Sequence, residues 1–235
     1  MPQRYSLEPV VQESTPSIIA RKLRYAIARG EVAPGSQLGE AELARELGVS
    51  RGPLREAMQR LTQEGLLVSV RNRGLFVIEM TDAEIRDMYV LRTAIESAAC
   101  KLLVRADHVA AGNDLLDRVT AMEDAAATGD STAMSDADLA FHERLVALSG
   151  SPRLARIHST LMTETRMCQT VLQDSYRVDG EWIAEHRSIA EAVFDGDGPL
   201  AESRLSDHAE SALARLSDTT ASISGLPAPS RTSRP

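Results

Sequence analysis

Residues 42–51 read ELARELGVSR, and this short stretch has the pattern of two helices joined by a tight turn. Leu43 and Leu47 stand four residues apart, so they lie on one face of the first helix. Gly48 provides the turn, and Ser50 is a residue type that caps the helix that follows. The order of these residues predicts a helix-turn-helix, an element with which proteins enter the major groove of DNA.

The second helix of this motif presents basic and amide side chains on one face. Arg51, Arg55 and Gln59 are spaced by four residues, so they share a side of the helix that the apolar residues leave open. Arg and Gln make bidentate hydrogen bonds to guanine and adenine edges. We therefore predict that Ser50, Arg51, Arg55 and Gln59 meet DNA, although an Arg-rich helix taken alone is more often a solvated surface.

A short hairpin follows the second helix. The apolar residues Val68, Val70, Leu75 and Val77 flank the loop Arg71-Asn72-Arg73-Gly74, in which the glycine supplies the positive φ that tight hairpins often need. A hairpin with a basic tip next to a helix-turn-helix predicts a wing. Arg71, Arg73 and Gly74 are accordingly expected to contact phosphates or the minor groove.

Composition and charge bound the remaining possibilities. Of the 235 residues, 43% are hydrophobic, which is enough for a real core, but no apolar run is long enough to span a membrane. Only two cysteines occur, far apart, which argues against a disulfide scaffold or a zinc ribbon. Residues 1–80 carry net charge +2 and residues 81–235 net charge −10. The sequence thus predicts a cytoplasmic, soluble protein whose two parts have different partners.

The fold class is predicted to be mainly α. An N-terminal winged helix-turn-helix domain, residues 1–80, is followed by an all-helical bundle, residues 81–218, and by a disordered Ser-, Thr- and Pro-rich tail, residues 219–235. Gly or Pro separates six amphipathic segments of the bundle. These are residues 82–106, 108–127, 132–149, 152–174, 181–195 and 198–217.

Four side chains of the metal-ligand type fall on apolar stripes of three predicted helices. Asp138 and His142 are spaced i, i+4, whereas His186 and His208 each lie among apolar residues of their own helix. Buried polar groups need partners, which a metal ion, water or one another could supply. A single buried histidine is more often a satisfied core residue. His158 is the rival ligand, and His108, at a helix start, is expected to be a surface or capping residue.

Several motifs together carry a resemblance to a known family. In the first 80 residues they are Leu43-Ala44, Leu47-Gly48-Val49-Ser50-Arg51, Pro53-Leu54-Arg55-Glu56-Ala57, Arg60-Leu61, Glu64-Gly65-Leu66 and Arg73-Gly74. This part resembles the winged helix-turn-helix of the GntR family of bacterial transcription regulators. It departs from the family at Gly52, where a Thr is typical, and at Ala41, where some members carry a DNA-reading Arg.

The bundle resembles the FCD domain, the effector-binding domain of the FadR-like GntR subfamily. The matching motifs are Leu91-Arg92-Thr93-Ala94-Ile95-Glu96, Asp138-Leu139-Ala140-Phe141-His142, Glu185-His186 and His208. The resemblance implies that Asp138, His142, His186 and His208 hold a divalent ion, Zn first, with Ni, Mn, Fe or Co as alternatives. It further implies that Arg92 contacts an effector carboxylate, and a structural ion pair with Glu96 is the competing interpretation.

The resemblance predicts a homodimeric repressor, not an enzyme, that binds double-stranded operator DNA and responds to a small carboxylate effector. The rival hypothesis is a helical metal-dependent hydrolase fused to a DNA-binding head, because an Asp/His₃ site could activate water. Against it, no general-base motif of the HExxH kind occurs. A third hypothesis has no metal and treats the bundle as a plain dimerisation module.

Overall fold

The computed structural model describes residues 13–171 and 180–224, and two compact units meet in sequence between Glu79 and Met80. Within the described ranges, nine helices and three short strands make the fold mainly α, as predicted. In chain order the elements are α1 (Thr15–Ala28), β1 (Gln37–Leu38), α2 (Glu40–Glu46), α3 (Arg51–Gln63), β2 (Leu67–Val70), β3 (Gly74–Val77), α4 (Asp82–Leu103), α5 (His108–Thr128), α6 (Ser131–Leu148), α7 (Pro152–Val171), α8 (Gly180–Phe194) and α9 (Gly198–Ser224).

The first unit places α1–α3 beside a small antiparallel sheet. The predicted hairpin is confirmed, with Leu67 opposite Val77 and Val70 opposite Gly74. A third strand, β1, pairs with the outer side of β3, so the strand order is β1-β3-β2. The sequence did not predict β1, because a strand of two residues is too short to show any alternation of apolar and polar side chains.

The core of the first unit comes from the apolar faces of α1 and α3. Ser14 caps α1 by accepting a hydrogen bond from the backbone N–H of Ser17. Buried side chains then recur at helical spacing: Ile19, Leu23 and Ile27 on α1, and Leu54, Met58 and Leu61 on α3. Since these residues fill the inner side of α3, its opposite side faces solvent.

The second unit consists of the six helices α4–α9, as predicted. Thr81 and Glu84 form a reciprocal capping box at the start of α4. Helices α5 and α8 approach each other closely at Gly112, where an added Cβ would overlap the backbone of Phe194. Met, Leu, Ile and Val side chains fill the core around Phe141, which is fully buried.

The C-terminal end of α9 differs from the prediction. The helix continues to Ser224, six residues past the predicted domain end at 218. The run Thr219–Ser224 has weak helix formers but no Gly or Pro before Gly225, so nothing in its chemistry stops the helix. Residues 225–235 of the predicted tail, and residues 172–174 of the fourth predicted helix of the bundle, lie outside the described residues. No helix in the described part of the chain has the length and apolar character to cross a membrane.

Candidate functional site

Four buried side chains from three helices of the second unit converge on one point. Asp138 and His142 come from α6, His186 from α8 and His208 from α9, and each is at most 4% exposed. One ligand atom of each lies within 4.8 Å of the others. The structure thus brings together the four residues that the family resemblance implied as metal ligands.

The local structure of α6 explains half of this arrangement. Asp130 caps the helix by accepting hydrogen bonds from the N–H groups of Thr132 and Ala133. The i, i+4 spacing then places Asp138 and His142 side by side on the inner face. The ring of Phe141, between them in sequence, lies edge-on to the imidazoles of His142 and His186 at centroid distances of 5.3 and 4.9 Å. An apolar wall therefore limits how these rings can turn.

Each of the three histidines is oriented by a hydrogen bond from its Nδ1. The acceptors are one main-chain carbonyl and two carboxylates, none of which has a proton to give, so each Nδ1 carries the hydrogen. In a neutral ring held in this way, the Nε2 lone pair faces the centre of the cluster. The three bonds are His142 to Glu96 Oε2 (3.1 Å), His186 to the carbonyl of Trp182 (2.8 Å) and His208 to Glu185 Oε2 (2.8 Å).

Burial disfavours the positively charged form of two histidines in this centre. It lowers the pKa of His142 to about 3, with the charge of Arg92 acting in the same direction, and it also lowers the pKa of His208. Burial alone would raise the pKa of Asp138, but a hydrogen bond from His186 when its Nε2 carries a proton, together with the positive charge of Arg92, holds this pKa well below its usual value. The carboxylate is therefore ionised, and it faces imidazole rings rather than water.

The contacts at the centre bring several hydrogen-bond acceptors close together. His142 Nε2 lies 3.1 Å from His186 Nε2, which in turn lies 3.0 Å from Asp138 Oδ1. With both Nδ1 atoms protonated, these are contacts between lone pairs unless a proton on His186 or a metal ion intervenes. Three imidazole nitrogens and one carboxylate oxygen form a donor set suited to Zn, Ni, Fe or Co, and one that also tolerates Mn.

The size of the cluster is also close to that of a metal centre. Ligands bound at 2.0–2.2 Å from one ion stand no more than about 4.4 Å apart. The observed spread of 4.8 Å has to contract by about 0.4 Å for two ligands on opposite sides of the ion, and by more than about 1 Å for the tetrahedral arrangement of Zn. The residues present therefore fit a divalent ion.

Further side chains hold the carboxylate of Asp138. Its Oδ1 accepts a hydrogen bond from Trp182 Nε1 (3.0 Å), and its Oδ2 accepts one from Gln169 Nε2 (2.8 Å). Neither of these two residues was predicted from the sequence, and Glu185 stood there only in the motif Glu185-His186, without a role. Two of the three residues stand at informative positions in the sequence. Trp182 precedes His186 by one helical turn, and Glu185 is the residue directly before His186. No such position marks Gln169, which reaches the site only through the packing of α7.

Arg92 is buried beside the cluster, on α4. Its Nε donates to Glu96 Oε1 at 2.9 Å, which is the ion pair that the sequence offered as one interpretation. Its Nη2, however, is buried and finds no hydrogen-bond partner among the described residues. Glu96 is ionised as well, because the charge of Arg92 and the hydrogen bonds from His142 and His158 outweigh the effect of burial and lower its pKa. One hydrogen-bond donor of the guanidinium is thus unused among the described residues.

The two other histidines of the chain, His108 and His158, are not part of the cluster of four. His158 is buried, and its Nε2 hydrogen-bonds to Glu96 Oε1 at 2.9 Å. His108 is the first residue of α5, after the N-cap Asp107, and its Nδ1 hydrogen-bonds to the carbonyl of Phe194 at 2.8 Å. His158 therefore contacts a neighbour of the ligands, whereas His108 links α5 to the end of α8.

In the first unit, α3 exposes the face that the sequence assigned to DNA. Arg51, Arg55 and Gln59 are all exposed. Arg55 Nε donates to Glu40 Oε2 at 2.7 Å, so an acidic residue of α2 holds it in the protein without DNA. Ser50 stands at the N-cap position but makes no side-chain capping bond, which corrects its expected role in capping. The exposed hydroxyl of Ser50 accepts no hydrogen bond from the first backbone N–H groups of α3.

The tip of the hairpin is exposed and basic, with Arg71, Arg73 and Gly74 at the surface. Gly74 has a φ of +101°, and a Cβ there would press on Gln37 Nε2 at 3.2 Å. Gln37 Nε2 also donates to the carbonyl of Arg73, which fixes the loop to β1. The Arg73 guanidinium lies 5.2 Å from the centroid of the Phe76 ring. The wing tip is therefore held by its own neighbours.

Comparison with known proteins agrees with both halves of this description. Residues 17–77 match the model of the gntR family of bacterial regulatory proteins, and residues 87–211 match the FCD domain. A regulator of the helix-turn-helix type from an unstable DNA locus of Streptomyces ambofaciens is 32% identical, over 80% of this chain and 78% of its own length. The "Probable D-xylose utilization operon transcriptional repressor" of Paenarthrobacter nicotinovorans is 29% identical, over 77% and 80%.

A solved structure shows the same architecture. A GntR regulator of Rhodococcus sp. RHA1 superposes with a TM-score of 0.74 at 28% identity, covering 88% of this chain and 99% of its own. The matched domains and relatives are transcriptional regulators and not enzymes, which removes the basis for the hydrolase hypothesis. The chain belongs to the GntR family of bacterial transcription regulators, in the FadR-like subfamily whose members carry an FCD domain.

Proposed function

We propose that this regulator is a cytoplasmic homodimeric repressor whose hold on its operator is controlled by a small organic acid bound beside a divalent metal ion. The convergence of Asp138, His142, His186 and His208 is the observation that carries the proposal. Four buried ligand-type side chains from three helices meet with their ligand atoms toward one another. An ion would satisfy all of them at once, whereas without one the cluster is costly.

The proposed ion is Zn first, with Ni, Mn, Fe or Co as alternatives. Asp138 and the Nε2 atoms of the three histidines would hold it, and the Nδ1 partners would keep the rings turned inward. When bound, the ion supplies a Lewis acid with coordination positions that an effector carboxylate could complete. Protein side chains next to the ion would select and orient the effector.

Arg92 is the proposed contact for the effector carboxylate. A buried guanidinium whose Nη2 lacks a partner among the described residues is expensive, and an anion is the group that satisfies it. Glu96 neutralises the charge of Arg92 but occupies only its Nε side. The effector would therefore meet a positive group and a metal ion inside one bundle, which favours small carboxylates.

The proposed DNA contacts divide into two groups. Arg51, Arg55 and Gln59 on α3 would read base edges, with Ser50 beside them at the backbone. Arg71, Arg73 and Gly74 at the wing tip would contact phosphates or the minor groove. In a homodimer two such heads would meet two half-sites of a pseudo-palindromic operator. The repressor sense is supported by the name of the Paenarthrobacter relative.

The metal is tested on the full chain purified without chelator. Elemental analysis and native mass spectrometry should find about one divalent ion per chain in a dimer, with any retained acid. The variant His142→Ala should lose the ion, while His108→Ala, a histidine of the same unit outside the cluster, should keep it. Gel-shift assays should show that His142→Ala still binds operator but no longer responds to effector. Absence of metal from the wild type, and no thermal shift with Zn, Ni or Mn, would leave the four residues as a hydrogen-bonded polar network.

The DNA face has its own test. The single variants Arg51→Ala and Arg55→Ala should each weaken operator binding by about 1–3 kcal/mol, because each variant would lose a bidentate contact to a base. If the variant with both substitutions bound the operator with unchanged affinity, α3 would be excluded as the recognition helix.

A further inference from the structure

One carboxylate beside the proposed metal centre serves several residues at once. Glu96 Oε2 accepts the hydrogen bond from His142 Nδ1, and Oε1 accepts bonds from Arg92 Nε and His158 Nε2. The side chain of Glu96 is 3% exposed, so water does not compete for these bonds. It therefore connects α4, which carries it, with α6 and α7.

The two carboxylates that orient histidines differ in their surroundings. Glu185 holds His208 from the edge of the bundle, where it is 23% exposed and also bound by Arg215. Glu96 is enclosed, and the described side chains that bond to it are all hydrogen-bond donors. A buried carboxylate with Arg and two imidazoles around it is costly to keep for stability alone, since an apolar replacement of such groups is often neutral or stabilising.

We propose that Glu96 is a positioning residue for the metal site: it fixes the tautomer and ring orientation of His142 so that Nε2 is available to the ion. This inference rests on the proposed function. A carboxylate on the far nitrogen of a ligating histidine holds the proton there and raises the basicity of the ligating nitrogen. His158 and Arg92 hold the other oxygen, so Glu96 cannot turn away from His142.

The variant Glu96→Gln tests this with almost no change in shape. An amide offers one accepting oxygen, and two donors, Arg92 and His158, compete for it against one, His142. The amide N–H₂ is then turned toward His142 Nδ1, which favours the other tautomer and places a hydrogen on Nε2. The ring would no longer offer a lone pair to the ion. We expect the affinity for the metal to fall about 10–100-fold.

The probe is Co²⁺, added to full-length metal-free protein. Its visible absorption spectrum reports the ligand set, and fluorescence of Trp182, which is bonded to Asp138, reports binding at the same place. Glu96→Gln should show weaker binding and an altered spectrum. Asp114→Asn is the matched control. Like Glu96→Gln it removes a carboxylate that pairs with an arginine, but this pair, Asp114 with Arg144, is partly exposed and lies outside the cluster. This control should bind Co²⁺ like the wild type.

A second variant guards against misfolding. Replacing Arg92 by Met and Glu96 by Leu together removes both buried charges, which avoids an unpaired guanidinium. The circular dichroism of this variant should remain helical, and its Co²⁺ affinity should still be about 10–100-fold lower. Wild-type affinity and spectrum in either variant would overturn the positioning role while leaving the metal site intact. A wild type that binds no Co²⁺ would overturn the proposed function and this inference with it.

Discussion

The substitution Asp138→Asn separates a metal centre from a metal-free hydrogen-bonded network. It preserves the shape of the side chain and removes its charge. In the structure, Oδ1 accepts from Trp182 Nε1 and faces His186 Nε2 at 3.0 Å, while Oδ2 accepts from Gln169. The two interpretations of the cluster assign opposite roles to this charge, so they predict different stabilities for the variant.

For a metal centre, the charge of Asp138 matters only when the ion is bound. In the metal-free variant the introduced amide can donate to the lone pair on His186 Nε2 but no longer accepts from Trp182 Nε1, so stability should fall by only about 1–2 kcal/mol. Metal at 100 times its Kd stabilises the wild type by about 2.7 kcal/mol, equivalent to about 5–10 °C in Tm. If the variant binds 100-fold more weakly, the same concentration contributes about 0.4 kcal/mol, or about 1 °C.

For a polar network, the charge matters without any metal. A proton on His186 would then form a buried ion pair with Asp138. Removing one partner of a buried ion pair costs about 3–5 kcal/mol, because the other charge remains without compensation. The network interpretation therefore predicts a large loss of stability in the presence of chelator, and no effect of added metal on either protein.

The measurement uses Trp182, the single tryptophan of the chain, which is buried in the second unit. Its fluorescence during urea unfolding in chelator reports this unit and not the DNA-binding head. Melting with and without Zn completes the comparison, with Asp114→Asn as the control for loss of a carboxylate at the surface. A loss of about 3–5 kcal/mol in chelator, together with no Zn-dependent rise in the wild-type Tm, would refute the metal centre.

Three further predictions concern packing and DNA. Gly112→Ala should destabilise the second unit by about 1–3 kcal/mol, because its Cβ overlaps the backbone of Phe194. Gly180→Ala on α8, whose Cβ would meet no atom of the described residues within 4 Å, should stay near wild type in the same urea assay. Glu40→Gln should tighten operator binding by about 0.2–1 kcal/mol, since it releases Arg55 from an exposed ion pair; weaker binding in gel shifts at low salt would contradict this. Arg73→Ala should weaken binding to specific and unrelated DNA alike and reduce the salt slope by about one, whereas a loss confined to the operator would indicate a base contact.

The sequence predicted the features that depend on local periodicity. The i, i+4 spacing of Asp138 and His142 identifies one inner face of α6 from the sequence alone. That α8 and α9 place their histidines at the same point depends on how the helices pack, for example on the close approach at Gly112. Gln169 shows the limit most clearly, because no spacing within α7 relates it to Asp138 on another helix.

Helix α4 has a special position under the proposed function. It contributes none of the four proposed metal ligands, yet it carries both Arg92 and Glu96, and it begins at Asp82, just after the DNA-binding unit ends at Glu79. An effector carboxylate on Arg92 and an ion on His142 would both act on Glu96, so each would change the contacts of α4. An effector shifts an equilibrium only by its difference in affinity between two states. The bonds of Glu96 to Arg92, His142 and His158 are where such a difference would arise, because they tie the one helix that leads into the head to the helices that form the site.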